Sequence, residues 1–146
     1  MVNILMGIGN ALGGDDAIGP WIAKNFKHRG WLSIDCGTVP ENFTSLVKEH
    51  RSKYLVIVDA AQLNLAPGEF RVVPKDKIDT FALTTHSLPL SFLISYLEEY
   101  AKNIICIGVQ PKSIRPFSTL SKEVRAGALK IIKILKQKKF DSLIAV

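Results

Sequence analysis

The 146-residue sequence is poor in cysteine, methionine and tryptophan, with two of each, and it has no long hydrophobic run. Two cysteines, Cys36 and Cys106, build no disulfide framework. Cys106 sits inside the apolar stretch Ile104-Ile105-Cys106-Ile107 and reads as a packing residue. No apolar run reaches the roughly 20 residues that span a bilayer, so membrane insertion is not expected. The N-terminal Met1-Val2-Asn3-Ile4 shows neither a basic segment nor a small-residue cleavage pattern, so no signal peptide is expected and a reducing cytoplasm fits. A Gly-x-Ser-x-Gly elbow is absent, and neither cysteine has a histidine at a telling spacing, which argues against a serine or cysteine hydrolase.

Acidic residues are scarce in the last third. Residues 101–146 hold ten Lys/Arg and two Asp/Glu, a net of +8, whereas residues 1–100 hold nine and eleven, a net of −2. Five lysines fall between Lys130 and Lys139. They fit either a patch for an acidic partner or the solvated face of an amphipathic helix, with lysines favoured near its C-terminus by the helix dipole. No aromatic residues interleave with them as single-strand binders require, so the solvated face is preferred and no nucleic-acid partner is expected. A binding module using this helix remains the alternative.

What the chain does contain is a strand–helix alternation. Val2–Met6 is a short apolar strand, residues 16–29 carry a helical stripe of Ile18, Ile22 and Phe26, and Trp31–Asp35 is a second strand. Pro20 is tolerated only in a helix's first turn, so the regular helix is expected to begin near Ile18 or Gly19. Glu41–His50 reads as a short helix, Tyr54–Asp59 as a strand buried on both faces, and Glu69–Val73 as an edge or antiparallel strand. Residues 74–85 read as a polar connection, then a helix from Pro89, a strand Ile104–Val109, and a last helix capped by Ser121. Phe140–Val146 is expected to be ordered by docking. The sum is a single α/β domain over residues 1–146: a three-layer α/β/α sandwich with a mostly parallel, mixed sheet of about five strands.

The densest stretch is Gly7-Ile8-Gly9-Asn10-Ala11-Leu12-Gly13-Gly14-Asp15-Asp16-Ala17-Ile18-Gly19-Pro20, between the first strand and the first helix. Asp16 follows strand one, Asp59 closes the central strand, and His86 precedes the helix before the last strand. Carboxyl ends of parallel strands share one sheet edge, so these three can converge. Two carboxylates and an imidazole suit a divalent transition metal with open positions, or general acid–base work without metal. A dinucleotide-binding Rossmann-like reading is the rival, with Asp35 as ribose acid. Its third glycine would fall at residue 12, which is Leu12, and Asp15-Asp16 would repel a pyrophosphate.

Gly7-Ile8-Gly9-Asn10 with Gly14-Asp15-Asp16 through Gly19-Pro20 resembles the N-terminal signature of the nickel–iron hydrogenase maturation proteases. Val56-Ile57-Val58-Asp59-Ala60 resembles that family's central strand, and Thr84-Thr85-His86-Ser87-Leu88-Pro89-Leu90 its histidine segment. Gly37-Thr38-Val39-Pro40-Glu41-Asn42 and Ile107-Gly108-Val109-Gln110-Pro111 add to the match. The subtype resembled is the one acting on membrane-bound or multi-subunit hydrogenases, which pairs Asp-Asp with Thr-Thr-His. The resemblance implies an endopeptidase that trims the C-terminal extension of a hydrogenase large-subunit precursor. It implies Asp16, Asp59 and His86 as catalytic and metal-ligating residues. Asp15 would bond backbone amides at the helix start, and Gly9, Asn10, Gly37 and Thr38 would shape the cleft. The nickel would be supplied by the substrate, with no tightly bound metal in the isolated protein, which is expected to be a monomer.

Overall fold

The computed structural model describes residues 2–81 and 88–146. Among them five strands form one sheet: β1 (Asn3–Ile8), β2 (Trp31–Gly37), β3 (Tyr54–Ala60), β4 (Phe70–Val72) and β5 (Asn103–Val109), in the order β2-β1-β3-β5-β4. All pairings are parallel except β4 with β5. The α/β sandwich with a mostly parallel mixed sheet is therefore the observed fold, and the alternating stretch around residue 70 is its antiparallel edge strand.

Burial alternates along the central strands and explains the three layers. In β1, Ile4, Met6 and Ile8 face one side with Leu55 and Ile57 of β3; α2 (Thr44–His50) and α4 (Leu90–Leu97) cover them with Val47, Leu93, Ile94 and Leu97. Leu5, Val56 and Val58 face the other side, covered by Ile18 and Ile22 of α1 (Ile18–Asn25) and by Val124, Ala128, Ile131 and Leu135 of α5 (Lys122–Gln137). Both faces are apolar because helices cover both, which is why β3 reads as a continuous hydrophobic run. Burying each such Leu, Ile or Val contributes roughly 1.5–3 kcal/mol.

Some boundaries fall where expected and others moved for local reasons. A 3₁₀ turn at Gly14–Ala17 precedes α1, which starts at Ile18 and keeps Pro20 in its first turn. The helix stops at Asn25, short of the residue-29 limit of the stripe. Phe26 leaves it with extended backbone and sets its ring edge-on to Trp31, centroids 5.2 Å apart. β2 runs past Asp35 to Gly37, with a bulge that pairs Gly7 with Asp35 but Ile8 with Gly37. The connection expected after residue 74 instead contains a 3₁₀ turn (Lys75–Lys77) and the short helix α3 (Ile78–Phe81), because Ile78 joins the core. Ser121 caps α5 by accepting the Val124 amide at 3.3 Å. The tail docks as expected: Phe140 packs on Tyr54, the Val72 amide donates to the Ile144 carbonyl at 2.7 Å, and the Val146 amide donates to Val72 at 3.0 Å. No helix among the described residues is long and apolar enough to cross a membrane.

Candidate active site

The order of the strands dictates where a site can form. From β1 the chain goes by α1 to β2 on one side, then by α2 across the opposite face to β3 on the other. The helices diverge at the carboxyl ends of β1 and β3, the switch point at which α/β sheets hold ligands. Gly7 pairs with Val58, so Ile8-Gly9 and Asp59 leave adjacent strands at the same level.

Glycines let α1 settle onto this edge. A Cβ on Gly19 would overlap the amide nitrogen and carbonyl oxygen of Ile8 and stand 2.7 Å from the carbonyl oxygen of Val58. The first turn of α1 therefore rests directly on the backbones of β1 and β3. Gly9, with φ 151°, comes as close to the Asp16 carbonyl and donates its amide to the Gly37 carbonyl at 2.8 Å. Gly37 thus ends β2 directly beside the Gly9 turn, and exposed Thr38 follows it.

The two neighbouring aspartates have different surroundings. Asp16 is partly exposed, and its Oδ2 accepts the Asn10 amide at 3.1 Å. Asn10 in turn accepts the Leu12 amide through Oδ1 at 2.9 Å, so one side chain fixes the turn that carries Asp16. Asp15 is 1% exposed and points away into the protein. Its carboxylate accepts the amides of Lys112, Ser113 and Ser121 at 2.8, 3.2 and 2.7 Å and the Ser121 hydroxyl at 2.8 Å. The amides it holds belong to the loop before α5 and to the N-cap of that helix, so it braces the turn from beneath.

Asp59 is 4% exposed, on the α4 side of β3, and borders a small cavity with Ala61, Ile78, Phe81, Leu90, Cys106 and Gly108. Phe81 and Leu90 flank the segment that carries His86; His86 itself lies outside the described residues. The Asp79 carboxylate accepts both the amide and the hydroxyl of Ser91, which ties α3 to α4 across that segment. Among the described residues no three His, Cys, Asp or Glu side chains gather into a metal-holding group. Asp16 and Asp59 supply two hard oxygen donors at neighbouring strand ends, a set suited to a divalent cation completed by donors from elsewhere.

Burial disposes of the thiols as nucleophiles. The Cys106 thiol is pushed up to about 12, chiefly by burial and further by the Asp59 charge. Burial does the same to Cys36, with Asp35 and Glu41 adding, again to about 12. Both stay protonated at neutral pH, and thiols are nucleophilic only as thiolates. A larger groove of about 800 Å³ lies between β4 and α5, lined in part by Arg71, Lys130 and Lys133. It contains neither Asp16 nor Asp59, so size does not locate the chemistry here. The lysines of α5 lie opposite its buried stripe, as a solvated face does.

Sequence reasoning missed Gln110. Its buried side chain accepts the amides of Leu63 at 2.8 Å and Leu65 at 3.3 Å and donates to Gln62 at 2.6 Å, pinning the segment after Asp59. The signal was available: a polar residue directly after the apolar run of β5, at a strand's carboxyl end.

Comparisons with known proteins bear on the family and the overall fold. The family model described as hydrogenase maturation protease, HycI, matches residues 19–138. The chain is 35% identical over 129 residues to the hydrogenase 3 maturation protease of Escherichia coli K12, covering 86% of this chain and 83% of that one. Its fold superposes on the solution structure of the endopeptidase HycI from Escherichia coli with a TM-score of 0.89 at 30% identity, covering 99% and 96% of the two chains. The crystal structure of the [NiFe] hydrogenase maturation protease HycI from Thermococcus kodakarensis KOD1 gives a TM-score of 0.80 at 30% identity, covering 93% and 90%.

Proposed function

This chain belongs to the hydrogenase maturation protease family of endopeptidases, and from that premise we propose that it removes the C-terminal extension of a nickel–iron hydrogenase large-subunit precursor after nickel insertion. Asp16, Asp59 and His86 read the nickel that arrives in the substrate. The observation that carries this reading is the placement of Asp16 and Asp59 beyond the adjacent strands β1 and β3, at the switch point of the sheet.

The donor chemistry favours a borrowed metal. Carboxylate and imidazole without thiolate hold nickel moderately, so the isolated protein stays metal-free and the complete site forms only with a loaded precursor. Hydrolysis adds a water oxygen to the scissile carbonyl carbon, breaks the C–N bond and delivers a proton to the departing amine. In this reading Asp16, partly exposed and held by the Asn10 amide, takes the proton from that water. Buried Asp59, at the end of the neighbouring strand β3, adds a second carboxylate for a substrate-borne cation.

The test is to mix the protein with nickel-loaded and nickel-free precursor and follow C-terminal trimming by mass spectrometry. Trimming of the loaded form alone is expected. No trimming of the loaded form defeats the proposal, and equal trimming of both defeats nickel recognition. Calorimetry on the isolated protein is expected to show no tight stoichiometric nickel binding.

A further inference from the structure

Next to the Asp16 turn the protein exposes three large apolar side chains: Leu12, Ile114 and Phe117, at 60%, 51% and 83% exposure. A lone exposed apolar residue needs no explanation, but three on two joined loops form a patch of the kind that marks interaction sites. We propose that this patch is a docking surface for the protein substrate, binding apolar side chains of the polypeptide segment that adjoins the scissile bond. The inference rests on the endopeptidase reading above and adds a specificity-determining residue, Phe117, to it.

The patch is built rigidly onto the site. The Phe117 amide donates to the Leu12 carbonyl at 2.7 Å, and the Asp15 amide donates to the Ser113 carbonyl at 2.9 Å. Beneath them the buried Asp15 carboxylate holds Lys112, Ser113 and Ser121. Gly14, with φ 61°, lets the loops close: a Cβ there would stand 2.8 Å from the Ser113 carbonyl oxygen. Leu12 and Asp16 are tied to the same residue, since Asn10 accepts the Leu12 amide and donates its own to Asp16. A polypeptide bound at Asp16 therefore meets the patch on the same turn, and no separate surface has to be recruited.

Phe117 itself is the telling residue. Its φ of 63° is a left-handed conformation that bulky side chains avoid. Glycine or asparagine would hold this turn with less strain and without an apolar ring in water. The chain instead keeps a phenylalanine there, aimed at solvent, in a loop fixed by its neighbours. Strain of this kind persists where the surrounding structure fixes it, and such positions cluster at ligand-binding and active sites.

The experiment compares wild type, Phe117→Ser, Phe117→Gly and Phe117→Leu in steady-state trimming of the nickel-loaded precursor, with thermal unfolding and sedimentation of each. KM is expected to rise about tenfold for Phe117→Ser and Phe117→Gly, as for an apolar anchor removed from an interface. The turnover rate stays within about twofold, and Phe117→Leu recovers most of the loss. Phe117→Gly is expected to melt no lower than wild type, which a structural role for the ring would not allow. Unchanged KM in both truncations, with wild type active, overturns the docking surface and leaves the endopeptidase reading standing. An inactive wild type overturns both. Concentration-dependent self-association that Phe117→Ser abolishes assigns the patch to a second copy of the chain and also overturns it.

Discussion

Asp15 holds Ser121 by both its amide and its hydroxyl, at 2.7 and 2.8 Å, across 106 residues of sequence. The turn after β1 and the N-cap of α5 are thereby one unit, although they come from opposite ends of the chain. Ser121 also accepts the Val124 amide, so the aspartate reaches the first turn of α5 through its cap.

That unit gives the first prediction. Asp15→Ala leaves the Lys112, Ser113 and Ser121 amides without their acceptor in a part-buried place, a loss of about 2–4 kcal/mol in folding stability. Asp15→Asn keeps one acceptor oxygen but turns an NH₂ toward donors, and is expected to lose about half as much. Urea unfolding followed by circular dichroism measures both. A loss under about 1 kcal/mol for Asp15→Ala would refute the brace.

The packing of α1 on the sheet gives the second. Gly19→Ala places a methyl group against the backbone of Ile8 and 2.7 Å from Val58, where no flexible side chain can yield. The helix must lift from the sheet edge, at about 3 kcal/mol or more of stability. Because the 3₁₀ turn that carries Asp16 runs directly into α1, trimming is expected to fall further than the folded fraction does. Activity normalised to folded protein at low temperature separates the two effects.

Asp16→Asn and Asp59→Asn preserve shape and remove charge. Each is expected to lower trimming of nickel-loaded precursor by at least about a hundredfold if the carboxylate is a base or a metal-reading group. Asp16 is partly exposed, so its variant is expected to retain the melting temperature of wild type within about 2 °C. Full activity in either variant would remove that residue from the site.

Local features were legible in the sequence. The apolar run Tyr54–Asp59 announced a strand buried on both faces, Pro20 marked the first turn of α1, and Ser121 the cap of α5. Each depends on residues close to it in the chain. The strand-end positions of Asp16 and Asp59 followed from topology rules applied to those elements. What could not be read were closures between distant segments: the partners of Asp15, the residues that Gln110 clamps, though its place after β5 marked it as a polar strand-end residue, and the burial of Ile78 that turns a polar-looking connection into α3. Exposed Phe117 was equally hidden, since a phenylalanine in sequence is ordinarily assigned to the core.

The cysteines set an alkaline limit. Each thiol is raised from an ordinary 9.0 to about 12 in the folded protein, chiefly by burial. Between these values the unfolded chain has lost protons that the folded chain keeps, so unfolding is favoured as pH rises. The stabilisation is complete below about pH 9 and disappears as pH climbs toward about 12. The slope approaches about 1.4 kcal/mol per pH unit for each thiol. Denaturant unfolding at pH 8, 9, 10 and 11 is expected to show this fall, and Cys106→Ala to reduce its slope by about half. A thiol reagent at pH 8 is expected to label both cysteines only as fast as the protein unfolds.

Gln110 supplies the last prediction, because its role is separable from the acids. Its Oε1 accepts the Leu63 and Leu65 amides while its Nε2 donates to Gln62 and to the Pro111 carbonyl, so both ends of the amide are used. Gln110→Ala strands the Leu63 amide at about 1–3 kcal/mol. Gln110→Glu retains an acceptor for Leu63 but sets a carboxylate against the oxygens of Gln62 and Pro111, so it rescues only part of the loss. The segment concerned begins two residues after Asp59 and is also held by the Ala61 amide on the Val109 carbonyl at 2.9 Å and the Gln62 amide on the Phe81 carbonyl at 3.0 Å. Hydrogen exchange is the direct measurement. In Gln110→Ala the Leu63 and Leu65 amides are expected to exchange at least about tenfold faster than in wild type, while amides of β3 keep their protection. Unchanged exchange at Leu63 would mean that the segment is held by its own packing, and that Gln110 follows the loop instead of setting it.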